Sequence, residues 1–380
     1  MKRICYVLVL CLLFGVLPKT VGAVNMDLPV KSAVLMDVAT GTILYEQNAH
    51  EALAPASVTK VMTMLLIMEA IDSGAIGWQD TVTASESAAA KGGSQVYLKV
   101  GEQMTVSDMV KAIAVSSAND CACAMAEHIA SSEAAFVERM NRRAQELGMA
   151  HTHFVNCTGL DDGPEAAEHK TTARDIAIMS RELLTKHPDI KEFTTIWMDA
   201  IRDGAFGLSN TNKLVRFYPG ATGLKTGFTA SAMYCLSATA QRDGMELIAV
   251  VMGAPSSAAR FTACKQLLDY GFAGWAVYTP ELPEDTAVPV RLGKAETVRA
   301  VLKAETLLVE KGKLASIRTE MTMEEELPAP VAEGQPLGKL RIWAGEELLA
   351  ELPLTAENAV EKLSWADIFL DLLKKVAFGE

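Results

Sequence analysis

The chain has 380 residues, half of them hydrophobic and 22 % charged, with a formal net charge of −12 at pH 7. That length exceeds one ordinary core and implies two or three domains, and the composition excludes a disordered chain. No basic cluster falls on any predicted element, so the acidic balance also argues against a nucleic-acid partner.

The chain opens MKRICYVLVLCLLFGVLPKTVGA, with Lys2 and Arg3, an apolar stretch from Ile4 to Leu17 and a small-residue end at Ala23. This is the order of a secretory signal, and the apolar stretch falls short of the roughly 20 residues that span a bilayer. The mature chain is expected to begin near Val24, outside the cytoplasmic membrane; a permanent anchor is the alternative. Cys121, Cys123, Cys157, Cys235 and Cys264 remain after the leader. An odd set without framework spacing argues against a disulfide scaffold. Cys121 and Cys123 lack zinc-ligand spacing and are expected as small core residues.

From Ser32 to Tyr45, two apolar runs flank a Thr-Gly turn at Thr40 and Gly41, the pattern of a hairpin. Val61 to Ile71, VMTMLLIMEAI, is apolar on nearly every face and predicts a central, buried helix. From about Gly74 to Arg202 the pattern is mostly helical, broken by turns at KGGSQ, SSAND and CTGLDDGPE. The stretch GLKTGFTASAMYCLSATAQRDGMELIAVVMGAP alternates apolar and polar residues and predicts two or three antiparallel strands around an Arg-Asp-Gly turn. An amphipathic helix from Ala259 to Tyr270 follows. Strands at both ends of a helical middle pack most economically as one antiparallel sheet covered by helices, an α+β unit.

Beyond Phe272 a Pro- and acid-rich linker leads into short runs such as AVPVRL, TVRAVL and KLRIWA. These suggest a small all-β domain of roughly 80 residues. From Val360 to Phe378, Leu363, Ile368, Leu372 and Val376 recur at helical spacing, with Trp365, Phe369 and Leu373 beside them. The stripe suits a membrane interface, while charges interrupt it too often for a spanning helix. A helix packed on the β domain has the same pattern.

Three short elements carry candidate chemistry: SVTK at Ser57 to Lys60, SAN at Ser117 to Asn119, and KTG at Lys225 to Gly227. No other serine has a lysine three positions on, and KTG occurs once. Residues three apart on a helix share a face, so the tips of Ser57 and Lys60 are within hydrogen-bond reach. An exposed ammonium titrates near 10.4 and is no base at neutral pH, but burial disfavours its charged form. A lysine heading a fully apolar helix is therefore a candidate base for a serine nucleophile. Ser57 also lies near a helix N-terminus, which favours developing negative charge. Ser117 can relay a proton, and the Asn119 amide can orient Lys60 and a substrate amide. Lys225 and Thr226 offer a cation and a hydroxyl to an anionic group, and Gly227 lets a substrate backbone lie close.

Taken singly, each element has an ordinary structural explanation as a helix start, a capping turn or a strand signal. Together, in order and behind an export signal, they resemble the low-molecular-mass penicillin-binding proteins, specifically the serine-type D-alanyl-D-alanine carboxypeptidases. DVATGTILYEQNA, GLDDG, TTARD and LKTGFT resemble that family as well. The resemblance covers nearly the whole mature chain. It implies a transpeptidase/β-lactamase-like catalytic domain with a helical subdomain, a small β domain and an amphipathic tail. The corresponding division is a signal peptide at 1–23, a catalytic domain at 24–273, a β-rich domain at 274–356 and a membrane-associating helix at 357–380. It further implies that Ser57 forms the acyl-enzyme, Lys60 is the base, and Ser117 and Asn119 complete the proton network. Lys225 and Thr226 would hold the substrate's terminal carboxylate. The backbone N–H groups of Ser57 and Phe228 would form the oxyanion hole. No cofactor or metal is implied. The implied partners are peptidoglycan stem peptides, β-lactams as inhibitors and, through the tail, a membrane surface.

Alternatives remain to be weighed. A Ser-His-Asp hydrolase would use one of His50, His128, His151, His153, His169 and His187, yet none lies in a catalytic motif and no G-x-S-x-G occurs. His151, His153 and His169 lack a patterned carboxylate or cysteine partner for a metal. A class A β-lactamase would add a deacylating carboxylate, for which Glu138 and Asn141 are the nearest candidates. A catalytically silent wall-binding protein would have no need of the intact trio.

Overall fold

The structure is a computed structural model describing residues 26–303 and 306–378; the expected leader, residues 1–23, lies outside the described residues. The predicted hairpin forms from Ser32–Asp37 (β1) and Ile43–Gln47 (β2). Its turn is held by the Asp37 carboxylate, which accepts from the Thr40 N–H and hydroxyl, and by Gly41 at φ +72°. The chain adds three more strands only after some 170 residues: Ala221–Thr229 (β3), Met233–Arg242 (β4) and Met245–Ala254 (β5). All five make one antiparallel sheet in the order β2-β1-β5-β4-β3, so both ends of the unit share it as expected.

The sequence expectation of alternating strands fails at β5, every residue of which is buried. Its neighbour β1 is likewise covered on both faces. Val34 and Met36 of β1, with Ile248, Val250 and Met252 of β5, face the helical core. Ala33, Leu35, Leu247, Ala249 and Val251 face the opposite layer. That layer is the helix Ser257–Gly274 (labelled α6 below), which runs past both predicted ends and contributes Phe261, Leu267, Leu268 and Phe272. A strand buried on both faces reads as a continuous apolar run.

The helical side is built on Lys60–Asp72 (α1), whose residues from Lys60 to Met68 are all buried. Around it stand Val106–Ser116 (α2), Asn119–Ala130 (α3), Glu133–Glu146 (α4) and Ala173–Lys186 (α5). The N-termini of α2, α4 and α5 are capped by the side chains of Thr105, Ser132 and Thr172. Cys121 and Cys123 lie in the core of α3, and all five described cysteines are free and buried. Two short antiparallel pairs, Thr81–Thr83 with Gln103–Thr105 and Met198–Ile201 with Phe206–Ser209, interrupt the region read as helical. At three or four residues each, they are too short to leave a periodic trace.

The C-terminal unit is a six-stranded sheet in the order Ile317–Met323, Pro336–Ala344, Glu347–Ala356, Thr297–Leu302, Ala287–Arg291, Leu327–Pro328. Val288, Val290, Leu340, Ile342, Leu352 and Leu354 form its core. Val360 bridges to Val331 and is buried there, and the Leu363 N–H bonds Leu292 O, so the chain stays tied to this unit up to the tail. The tail helix is Trp365–Phe378 (α7), opened by a reciprocal bond between Ser364 and Asp367. Trp365, Phe369, Leu372, Leu373 and Val376 are all exposed. No helix among the described residues is long and apolar enough to cross a membrane.

The depth of α1 makes a direct test. Leu65 is fully buried in the core it shares with α2, α3 and α5, so Leu65→Ala should lose about 2–5 kcal/mol of stability, read from urea unfolding. A change below 1 kcal/mol, on the order of an exposed-site substitution, would contradict that placement.

Candidate active site

Residues Ala56–Thr59 form one 3-10 turn running directly into α1. Ala56 is left-handed at φ +48°, and Gly159 makes room for it. A Cβ on Gly159 would sit 1.8 Å from the Ala56 carbonyl oxygen, and its φ of +82° also favours glycine. The turn leaves Ser57 half-buried and Lys60 with no exposed surface. Lys60 Nζ lies 2.9 Å from Ser57 Oγ, 2.5 Å from Asn119 Oδ1 and 2.9 Å from the Thr158 carbonyl oxygen. Burial pulls the Lys60 amine down to about 7, against smaller opposing influences of Cys157 and Asp120. A neutral amine has two N–H bonds and one lone pair. With the N–H bonds directed at Asn119 and Thr158, the lone pair faces the Ser57 hydroxyl.

Asn119 is the first residue of α3, and its side chain is fixed from both ends. Its Oδ1 takes the Lys60 bond, while its Nδ2 donates to Gly92 O at 2.7 Å and its backbone N–H to Ser94 O at 2.7 Å. One amide proton is therefore already engaged, leaving one for a substrate. Ser117 ends α2 in the left-handed region at φ +64° and is buried. Among the described residues its hydroxyl bonds none of the other predicted site residues.

The KTG segment lies in β3, the edge strand of the sheet. Gly227 is flush against the serine turn: a Cβ there would meet Pro55 O at 2.6 Å and Ser57 N at 3.1 Å. Lys225 is buried and donates to Thr226 O at 2.9 Å. Burial, followed by the charges of Lys60 and Arg260, holds its amine well below the usual lysine range. The Thr226 hydroxyl meets that of Thr211 at 2.7 Å, and the Thr211 N–H donates to Val115 O, two residues before Ser117. Phe228 is exposed and stacks on Tyr234, with ring centroids 4.3 Å apart.

Three contributors escaped the sequence reading. The Thr158 carbonyl holds Lys60 but is a backbone group with no residue signature. Arg260, on α6, is buried behind β3 and donates to Gly227 O at 3.0 Å and Cys235 O at 3.2 Å. Its Nε has no partner among the described residues, so this cation is only partly satisfied. His169 is buried, with Nε2 2.8 Å from Thr59 Oγ1, while its Nδ1 accepts from the Val155 N–H. That acceptor role puts the proton on Nε2, and the Thr59 hydroxyl in turn donates to Ala56 O. The chain of bonds braces the serine turn from beneath. Glu138 is exposed on α4, and Asn141 is committed to both backbone groups of Phe154.

A serine and a buried lysine at a helix start, an S-x-N turn and an edge strand bearing K-T-G, between a sheet and a helical lobe, define the penicillin-binding class of fold. Residues 19–256 match the profile of the peptidase S11 family, D-alanyl-D-alanine carboxypeptidase, and residues 282–362 match that of the C-terminal domain of penicillin-binding protein 5. The chain belongs to the D-alanyl-D-alanine carboxypeptidase family. It is 42 % identical over 352 residues to D-alanyl-D-alanine carboxypeptidase DacF of Bacillus subtilis, covering 91 % of this chain and 88 % of that protein. With DacC of Escherichia coli it shares 33 % identity over 361 residues, 90 % of this chain and 87 % of that one. Penicillin-binding protein 5 of Haemophilus influenzae superposes with a TM-score of 0.76 at 30 % identity, covering 90 % of this chain and 100 % of that chain. Penicillin-binding protein D2 of Listeria monocytogenes in its ampicillin-bound form gives 0.60 at 32 % identity, covering 65 % of this chain and 99 % of that chain.

His169 supplies a stability test. Burial, reinforced by His153, depresses it from 6.5 to about 4, so the folded protein holds it neutral. Its contribution is fully present above pH 6.5 and is lost as pH falls toward 4, because the unfolded chain takes the proton first. The loss amounts to about 3 kcal/mol at the acid end. His169→Gln should show a shallower dependence in urea unfolding between pH 7 and 4; parallel wild-type and variant curves would refute the assignment.

Proposed function

We propose that this chain removes the terminal D-alanine from the D-Ala-D-Ala end of peptidoglycan stem peptides, through an acyl-enzyme on Ser57. The observation that carries the reading is the buried Lys60 amine. Two fixed acceptors and a pKa near 7 make it a base directed at one hydroxyl. In this mechanism Lys60 takes the Ser57 proton as Oγ attacks the penultimate carbonyl. The backbone N–H groups of Ser57 and Phe228 receive the oxyanion. Ser117 and the protonated Lys60 return a proton to the departing D-alanine amine, and water then releases the shortened peptide from Ser57.

Specificity for a free carboxylate follows from charge. Lys60, Lys225 and Arg260 place three buried basic side chains around the KTG strand of an acidic chain. Among the described residues the depressed Lys225 faces two other basic groups, Lys60 and Arg260, and no acidic one. An arriving carboxylate restores its charged form, with Thr226 as hydroxyl donor. Gly227, with no side chain, lets β3 lie flush against the serine turn and so brings the strand edge that would hold a substrate backbone up to Ser57. A β-lactam presents a carboxylate and a reactive carbonyl to the same groups. The ampicillin-bound Listeria relative supports acylation of this chain by penicillins.

The division into a leader at 1–23, a catalytic domain at 24–273, a β domain at 274–356 and a tail at 357–380 belongs to the same proposal. So does an extracytoplasmic site of action, which a wall substrate requires. The exposed apolar side chains of α7 support attachment of that helix to the outer face of the cytoplasmic membrane.

Purified protein should release D-alanine from a D-Ala-D-Ala peptide and form a penicillin adduct at Ser57, with acylation rising through an apparent pKa near 7. Ser57→Ala should abolish both activities, as read by mass spectrometry; an adduct on that variant would rule out the nucleophile.

The tail is tested by truncation. Deleting residues 365–380 removes α7 while sparing Val360 and its bridge, and should move the enzyme from membranes to the soluble fraction with acylation intact. A truncated protein still in the membrane fraction would count against the tail as anchor.

A further inference from the structure

The direction of the Lys60 lone pair follows from the placement of its two acceptors, Asn119 Oδ1 and Thr158 O, and each of these is placed by a loop. Asn119 is held by the carbonyls of Gly92 and Ser94, in the loop after Lys91. That loop lies flush on the amide: a Cβ on Gly93 would come within 2.8 Å of Asn119 Nδ2. The second acceptor, Thr158 O, sits in another loop, directly after Cys157. One carboxylate joins these two loops. Glu133, at the first turn of α4, accepts from Lys91 Nζ at 2.5 Å. Its other oxygen accepts from the Cys157 N–H and Sγ, each at 3.2 Å. Cys123 Sγ, from α3, completes its surroundings at 3.8 Å and lies 3.7 Å from Glu127.

We propose that Glu133 is a positioning residue for the acylation step, clamping the Lys91 loop to the Cys157 loop so that Asn119 Oδ1 and Thr158 O together orient the Lys60 amine. The proposal rests on the reading of Ser57 as nucleophile and Lys60 as base. Each acceptor of Lys60 is covalently adjacent to, or hydrogen-bonded by, a segment that Glu133 grips. Glu133 is about four-fifths buried, unlike an exposed ion pair of little worth. Burial opposes its ionisation, but the hydrogen bond and charge of Lys91 prevail and keep it a carboxylate. Cys157, which a hydrogen bond with the Cys123 thiol and burial hold protonated, has an S–H to donate. Glu133 touches neither Ser57 nor the KTG strand among the contacts described, so its loss should slow proton transfer and leave substrate grip unchanged.

Glu133→Gln preserves shape and removes the charge; Lys91→Met removes the other half of the clamp. Stopped-flow acylation by a fluorescent penicillin, from pH 5 to 9, separates the maximal acylation rate from the dissociation constant of the preceding complex. Each variant should lose about tenfold or more in maximal rate, equivalent to about 1.4 kcal/mol of barrier, with the dissociation constant unchanged. The acid limb should move to lower pH. Both acceptors favour the charged amine, and the titratable groups that interact with it electrostatically, Asp120, Cys157 and Lys225, are left in place. The double variant should be no slower than the slower single one, because both break the same clamp. A wild-type rate, a lower rate with an unmoved acid limb, or additive losses would each overturn the proposal. Adduct persisting on Ser57→Ala would overturn the nucleophile reading and this one with it; adduct confined to Ser57, with Glu133→Gln indistinguishable from wild type, overturns the clamp alone.

Discussion

Taking an ammonium group out of water costs several kcal/mol unless protein groups replace its hydration, and Lys60 has no exposed surface. The catalytic unit is arranged around that constraint. Three oxygen atoms, from Ser57, Asn119 and Thr158, surround one nitrogen, and the lysine leads a helix that is itself the centre of the core. The surrounding burial is what brings the amine down to about 7. The same packing that stabilises the fold thus creates the base, and a more exposed α1 would leave an ordinary lysine with no reason to deprotonate.

The two halves of the site are held by different means. On the helical side, positions follow from hydrogen bonds to backbone carbonyls, with Gly92, Ser94 and Thr158 serving Asn119 and Lys60. On the sheet side they follow from steric closeness, with Gly227 against the serine turn and Gly159 beneath it. Arg260 and His169 stabilise these contacts from behind, one through the Gly227 carbonyl and the other through Thr59. The site lies where the edge strand of the sheet meets a helix start whose serine remains half-buried.

Much of the architecture was legible because it is written in periodicity and turns. The Ser32 hairpin, the all-apolar α1, the shared antiparallel sheet and the small β unit all follow from such signals. The two short strand pairs near 81–105 and 198–209 did not, since so few residues show no period. The alternation expected for β5 failed because layers on both faces bury every position. Among site residues, Ser57, Lys60, Asn119 and Gly227 come together directly, whereas the helix that Ser117 ends is tied to the KTG strand by its Val115 carbonyl, through Thr211 to the Thr226 hydroxyl.

Local geometry lets the sequence alone determine that Ser57 and Lys60 share a face, since three residues is one helical turn. It likewise determines that Lys60 begins a buried helix and that the tail has an apolar stripe. Only the tertiary structure decided what surrounds the amine. Asn119 lies 59 residues from Lys60 and Thr158 lies 98 away, while His169 reaches Thr59 across 110. No local rule spans such separations. A backbone carbonyl such as that of Thr158 exists at every position, so only packing selects the one that becomes a ligand of the base.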